Sequence, residues 1–316
     1  MEIDAGRAFY QPEVNPPFPP TRSLDRGGKR RHHPRPSRPH PEPPVTDATD
    51  LINARYRDPS LLGGVAMNPV LETILSHSSC RAFLPDPIPP ATLEAIIAAA
   101  ASAATSSNLQ VWSLMVVEDP GRKARLAALA GGQKHIEQSP TFLVWLADLA
   151  RLDTIAKQSQ AEIAGIHFLE LFMVALIDAA LAAQNAVVAL ESLGLGSVYI
   201  GALRNQPEKV AAELGLPKLV FPAFGLSIGT PDPKGTSGIK PRLPQSVVVH
   251  REQYDPTIDP SAIAAYDTRM SAFQTERNMP DERWTQRVIS RVRTPDSLTG
   301  RHRMREALGN LGFELK

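Results

Sequence analysis

Residues 161–193 form the longest apolar stretch of the chain, and they limit what it can fold into. Between Ala164 and Leu190 the run is interrupted by His167, Glu170, Asp178, Gln184 and Asn185. A run so punctuated reads as a long helix buried in a protein rather than a bilayer span, and Gly194 closes it. The strands predicted around it are short and far apart: 111–117, 141–147, 197–200 and 223–228, with 246–250 as a candidate extension of the sheet. Further helices are predicted over 46–57, 70–76, 90–104, 122–130 and 207–214, with two or three more after Pro260. Proline opens the helix at 90, and Thr46 or Asp47 is the candidate N-cap of the first. Few long helices and scattered strands indicate an α+β layout with one central sheet. No internal repeat is visible.

The chain has 316 residues and 42% hydrophobic content, enough for a real core. Eleven of its 30 prolines fall within residues 1–44, with eight Lys/Arg, five Asp/Glu and three histidines. Residues 1–45 therefore read as a disordered, proline-rich basic tail. Within it, Lys29, Arg30 and Arg31 are read as solvated rather than as a docking motif for an acidic partner. Residues 46–316 carry 26 basic and 28 acidic side chains. That balance gives no reason to expect nucleic acid or an anionic membrane as partner. Cys80 is the single cysteine, which fits a reducing compartment. The start Met-Glu-Ile-Asp shows no apolar leader, so a soluble cytoplasmic protein is expected.

Five short segments carry the candidate chemistry. His77-Ser78-Ser79-Cys80-Arg81 follows a predicted helix, and Thr105-Ser106-Ser107-Asn108 leads from a helix towards a strand. Gly131-Gly132-Gln133-Lys134-His135 stops another helix, Tyr199-Ile200-Gly201 ends a strand, and Lys240-Pro241-Arg242 lies far downstream. Together they offer fixed cations and neutral donors, with no nucleophile, base or metal cluster. Such a set suits an anionic, polar cofactor that carries the chemistry itself. Taken singly, each is ambiguous: Arg81 could be an ordinary surface arginine, the hydroxyls a plain loop and Gln133 part of a turn. His77 could donate to an anion or cap its helix, where a cation is favoured. A glycine at 201 permits close approach of a flat ligand to backbone. Other chemistries are unsupported. Gly194 and Gly196 lack the third glycine of a dinucleotide fingerprint, no Walker A sequence or nucleophile elbow occurs, and the histidines have no zinc spacing.

As a set, in order and spacing, these segments resemble the nitroreductase superfamily, specifically its group-A NADPH-dependent, oxygen-insensitive nitroreductases and NADPH-flavin oxidoreductases. The resemblance covers about residues 69–254 well and the C-terminal part loosely. Met67 lies about where short members begin. It implies a nitroreductase-like α+β fold with a central, mostly antiparallel sheet surrounded by helices, and a homodimer joined through the long helix. Four regions are expected: the tail 1–45 and a helical lead-in 46–66, which have no counterpart in short members, and then, as the resemblance implies, an FMN-binding core 67–254 and a C-terminal helical excursion 255–316 packing on the core. FMN would be held by His77, Ser78, Ser79, Arg81, Thr105, Ser106, Ser107, Gln133, Lys134, Tyr199, Ile200, Gly201, Lys240 and Arg242, with no catalytic side chain. Asn108 stands where several relatives have an aromatic, and Ala202 where many have a second glycine. Arg277 matches an arginine that relatives place on the 2′-phosphate of NADPH, and is equally readable as a solvated loop residue. A further substrate-side arginine of some relatives falls loosely on Ser297, near Arg293 and Arg301. Asp178 and Glu191 read as solubility or dimer-contact residues rather than a catalytic pair.

The activity implied is ping-pong hydride transfer from NADPH through FMN to quinones, nitroaromatics or flavins. Two alternatives stay open. One is a same-fold FMN enzyme performing dehalogenation or flavin fragmentation; the other is a non-catalytic flavin-bound sensor or adaptor.

Overall fold

The strand Thr141–Asp148 is buried at all eight of its residues, which requires cover on both faces of the sheet. A computed structural model describes residues 47–58, 61, 63–235 and 237–316. The tail 1–45 and the candidate cap Thr46 lie outside the described residues. In chain order the elements are α1 (Thr49–Tyr56), α2 (Pro69–Ser76), α3 (Pro90–Ala101), β1 (Trp112–Val117), α4 (Pro120–Leu129), α5 (Lys134–Gln138), β2 (Thr141–Asp148), α6 (Ala150–Gln158) and α7 (Leu169–Ser192). There follow β3 (Gly196–Ile200), α8 (Pro207–Leu214), β4 (Val220–Gly229), α9 (Gln245–Val248), α10 (Pro260–Glu276), α11 (Trp284–Val292) and α12 (Met304–Asn310). The sheet runs β1-β2-β4-β3 with every neighbouring pair antiparallel.

Alternation along β2 sorts its side chains onto two cores. Phe142, Val144 and Leu146 pack with Leu126, Ile136 and Leu203 from the α4, α5 and α8 side. Leu143 and Trp145 pack with Ile96 of α3 and with Ala182, Ala183, Ala186 and Val187 of α7. Small residues on α7 bring its axis close to the sheet. Each fully buried large side chain, such as Phe142 or Trp145, contributes about 1.5–3 kcal/mol relative to exposure. By length and composition α7 could cross a membrane; here half of its most apolar window is buried against the protein.

Three expectations need correction. The long helix starts at Leu169, not 161. A short 3-10 turn, Ala164–His167, precedes it, and Phe168 is extended at φ −92, ψ 150. The main chain of Lys316 fills the break: Lys316 N donates to His167 O, and Leu169 N donates to Lys316 O. The candidate strand at 246–250 is instead the helical turn α9. The outer edge of β3 is already occupied, because Cys80 N donates to Ser197 O at 2.8 Å. Helices α5 and α6 were not expected from the pattern. Asp47 does support α1, its Oδ1 accepting from Thr49 N at 3.0 Å.

Candidate functional site

The helix dipole and chain direction of α2 set up the first wall of the site. Asn68 caps its start, Oδ1 accepting from Val70 N and Leu71 N at 3.1 and 3.0 Å, and Pro69 takes the first turn. At His77 the chain becomes extended and runs beside β3. That approach depends on Gly196, where a Cβ would come 2.7 Å from the Cβ of Cys80. Gly196 therefore serves packing, although it resembles a fragment of a nucleotide fingerprint.

A cleft of about 590 Å³ opens between this segment and residues 232–242. His77, Ser78, Ser79, Arg81, Lys240 and Arg242 line it together with Arg55, Lys234 and Arg287; Asp232 is the acidic residue on its wall. Burial lowers the pKa of Lys240, and the charges of Arg81, Arg242 and Arg287 lower it further. Burial also lowers that of Arg55, with Arg242 adding to the effect and Glu191 opposing it. The cleft thus concentrates positive charge that repels itself. Adjoining it is a second cavity of about 630 Å³, walled by Tyr56, Tyr266 and Trp284 and sharing Lys240, Arg242 and Arg287.

The remaining predicted residues lie elsewhere. Thr105, Ser106, Ser107 and Asn108 do not line this cleft. Their loop is strained: Ser107, Asn108 and Gln110 have φ of 49, 54 and 52, a left-handed region that costs non-glycine residues energy. Asp178, 1% exposed, holds the loop. It accepts from Thr105 Oγ1, Ser106 N and Val111 N at 2.5, 3.1 and 3.3 Å. The Thr105 hydroxyl is thereby engaged, while Ser106, Ser107 and Asn108 stay exposed.

Gln133 precedes α5 and Lys134 begins it, and neither lines the cleft. The next residue, His135, has its pKa lowered by burial and then by Arg81. Tyr199 lies edge-on to Phe224 with centroids 5.5 Å apart, Ile200 is buried, and Gly201 backs onto Arg204. Arg277 buttresses the cleft from outside, Nη1 donating to Ser237 O at 2.9 Å. Its guanidinium carbon would lie 2.7 Å from a Cβ at Gly238. Ser297, Arg293 and Arg301 lie on the segment after α11, and none lines the cleft.

Sequence reasoning missed Arg55, Arg287 and the roles of Asp178 and Glu191. Neither acid is a solubility residue. Asp178 is buried, and Glu191 places Oε1 2.6 Å from His77 Nδ1 with its side chain 13% exposed. An acid inside an apolar helix was the available signal for Asp178. Nothing local distinguished Arg55 from other surface-pattern arginines.

An antiparallel sheet backed by one long helix, with a cationic cleft at the edge of β3, defines the α+β class of this protein. Two family models match it: the nitroreductase family over residues 74–230, and the nitroreductase family C-terminal domain over 240–316. The chain belongs to the nitroreductase family. It is 39% identical over 229 residues to an FMN reductase (NADPH) of Bacillus subtilis, covering 71% of this chain and 91% of that one. It is 40% identical over 224 residues to an oxygen-insensitive NADPH nitroreductase of Salmonella typhimurium, covering 70% and 90%. Among solved structures, B. megaterium NfrA2 superposes with a TM-score of 0.74 at 36% identity, over 79% of this chain and all of the other. The Vibrio harveyi NADPH:FMN oxidoreductase complexed with NAD+ gives 0.70 at 36%, over 79% of this chain and all of the other.

Proposed function

We propose that this protein moves hydride from NADPH, by way of FMN, to quinone, nitroaromatic or flavin acceptors. Its enzyme class, an NAD(P)H-dependent oxidoreductase, is that of the relatives. The observation that carries the FMN reading is the cluster of Arg81, Lys240, Arg242 and Arg287 around one cleft, where burial, and then the three arginine charges, lower the pKa of Lys240. A phosphate in that cleft would relieve the repulsion and accept charge-assisted hydrogen bonds. Ser78 and Ser79 add hydroxyl donors on the same wall.

FMN, when bound, supplies a two-electron carrier. The chain's own residues would do the rest. Arg81, Lys240 and Arg242 hold the phosphate; His77 stands beside them, fixed by Glu191. The exposed hydroxyls of Ser106 and Ser107 would meet ribityl or phosphate oxygens with Lys134 as a further donor, while Gln133 and the backbone of the Tyr199-Ile200-Gly201 strand end would meet the ring. Asn108 would then face the acceptor, and Arg277 would take the 2′-phosphate of NADPH. Donor and acceptor would use one position in turn, as a ping-pong scheme requires.

The homodimer belongs to the same reading. Leu169, Met173, Ile177 and Leu181, four residues apart on α7, are 43–53% exposed and form an apolar stripe. The deciding experiment is purification followed by a visible spectrum, release of the flavin and assay of NADPH oxidation with a quinone. A yellow protein with about one FMN per chain supports the proposal. A colourless protein that does not take up added FMN refutes it.

A further inference from the structure

Helix α1 precedes both segments matched by the family models, yet it contributes to the cleft. It is clasped at each end. At the start, Asp47 accepts from Thr49 N and Gly64 N, and Ala48 N donates to Val65 O. At the other end, Arg57 forms two hydrogen bonds with Glu276, and Asp58 pairs with Arg269, both partners on α10. Between these clasps Arg55 turns inward and is 8% exposed, the one buried arginine among the described residues.

Among the described residues, no carboxylate accepts from its guanidinium. Three backbone carbonyls do: Leu75 O at 2.9 Å, His77 O at 2.7 Å and Lys240 O at 3.1 Å. The main chain adds a further tie, Arg242 N donating to Arg55 O at 2.9 Å. Leu75 and His77 stand at the C-terminal end of α2, where carbonyls lack helical partners and the dipole is negative. Left bare, that end would repel an anion.

We infer that Arg55 is a positioning residue that joins the 77–81 and 240–242 segments into one phosphate site and cancels the negative end of α2 facing it. The inference rests on the FMN reading of the cleft. Its consequence is selectivity for the phosphate: Arg55 favours FMN over riboflavin, which has the same ring and ribityl chain without the phosphate.

The test equilibrates full-length protein with equimolar FMN and riboflavin and reads the bound ratio after filtration, by chromatography. It uses wild type, Arg55→Met, Arg55→Lys and, as a control, Arg57→Ala, with thermal unfolding recorded for each. Wild type should retain FMN in large excess. Both Arg55 variants should lose about tenfold or more of that excess, because Met has no donor and the single nitrogen of Lys cannot reach from one point the carbonyls that Nη1 and Nη2 meet separately. Arg57→Ala should keep it. A folded Arg55 variant with the wild-type ratio overturns the inference and leaves the FMN reading standing. So does a control that falls equally, since the effect would then belong to the docking of α1. Should Arg55→Met fail to fold, Arg55→Lys decides by the same ratio. Wild type that retains neither flavin overturns the FMN reading, and the inference with it.

Discussion

The carboxylate of Asp178 accepts the hydroxyl proton of Thr105 at 2.5 Å. That bond ties the central helix to a loop whose backbone, at Ser107, Asn108 and Gln110, sits in a disfavoured conformation. The loop keeps its shape because one buried acid satisfies two amides and a hydroxyl at once. Asp178→Ala should therefore cost about 1–3 kcal/mol, the penalty for leaving buried donors without a partner. Chemical denaturation measures it. An unchanged midpoint would mean the loop is held by something else.

Lys240 sets a pH dependence. Its folded-state pKa lies below the ordinary 10.5, so between the two values the unfolded chain binds more protons. Flavin-free protein should thus gain stability as pH rises through that window. FMN affinity should move the other way, because a phosphate favours the charged ammonium. Chemical denaturation of the flavin-free protein checks the first sign and affinity titrations the second, both from about pH 7 to about pH 10. Lys240→Arg should flatten the affinity curve, its charge being fixed over that range.

Deleting residues 1–45 removes none of the contacts described here and should leave flavin content and turnover nearly intact. Deleting 1–58 removes Arg55 with α1 and should lower FMN retention sharply. Flavin-to-protein absorbance ratios of the two truncations give the comparison; equal ratios would argue against a role for α1.

Arg277 should favour NADPH over NADH. A 2′-phosphate can be met by two guanidinium N–H groups, whereas NADH presents a hydroxyl. Steady-state kinetics of wild type and Arg277→Ala with each nucleotide measure this. The mutant should lose about tenfold or more in NADPH efficiency and little with NADH. Full discrimination in the mutant would return Arg277 to its observed job of propping Ser237 and Gly238.

Ile177 is 53% exposed on the apolar stripe of α7. Ile177→Asp would bury a charge in any interface formed there, so sedimentation should show the dimer weakened. A wild type that sediments as a monomer would remove the dimer from the proposal.

Period and punctuation made much of this fold readable. The strand at 141 is continuous and apolar because both its faces are covered, and Pro207 and Gly215 bracket α8 as helix rules predict. Arg81, Lys240 and Arg242 were legible as a set because three fixed cations around hydroxyls have few other uses. What stayed hidden depends on distant partners. The start of α7 is met by the main chain of Lys316, and it is residue 80, not 246–250, that bonds to the edge of β3. Arg55 was invisible for the same reason: its role depends on carbonyls of residues 75, 77 and 240.

Arg55 and Lys240 are 185 positions apart. A pocket assembled across such a separation exists only where both segments have come together, at a cost in loop closure. Its ligand can then recognise the finished protein but not the unfolded chain, and every increment of ligand concentration above the dissociation constant shifts the population towards the native form. Flavin supply would thus govern how much of this protein survives in a cell as well as how much of it is active. Flavin-starved cells should accumulate less of it, through loss of the half-formed state to proteases.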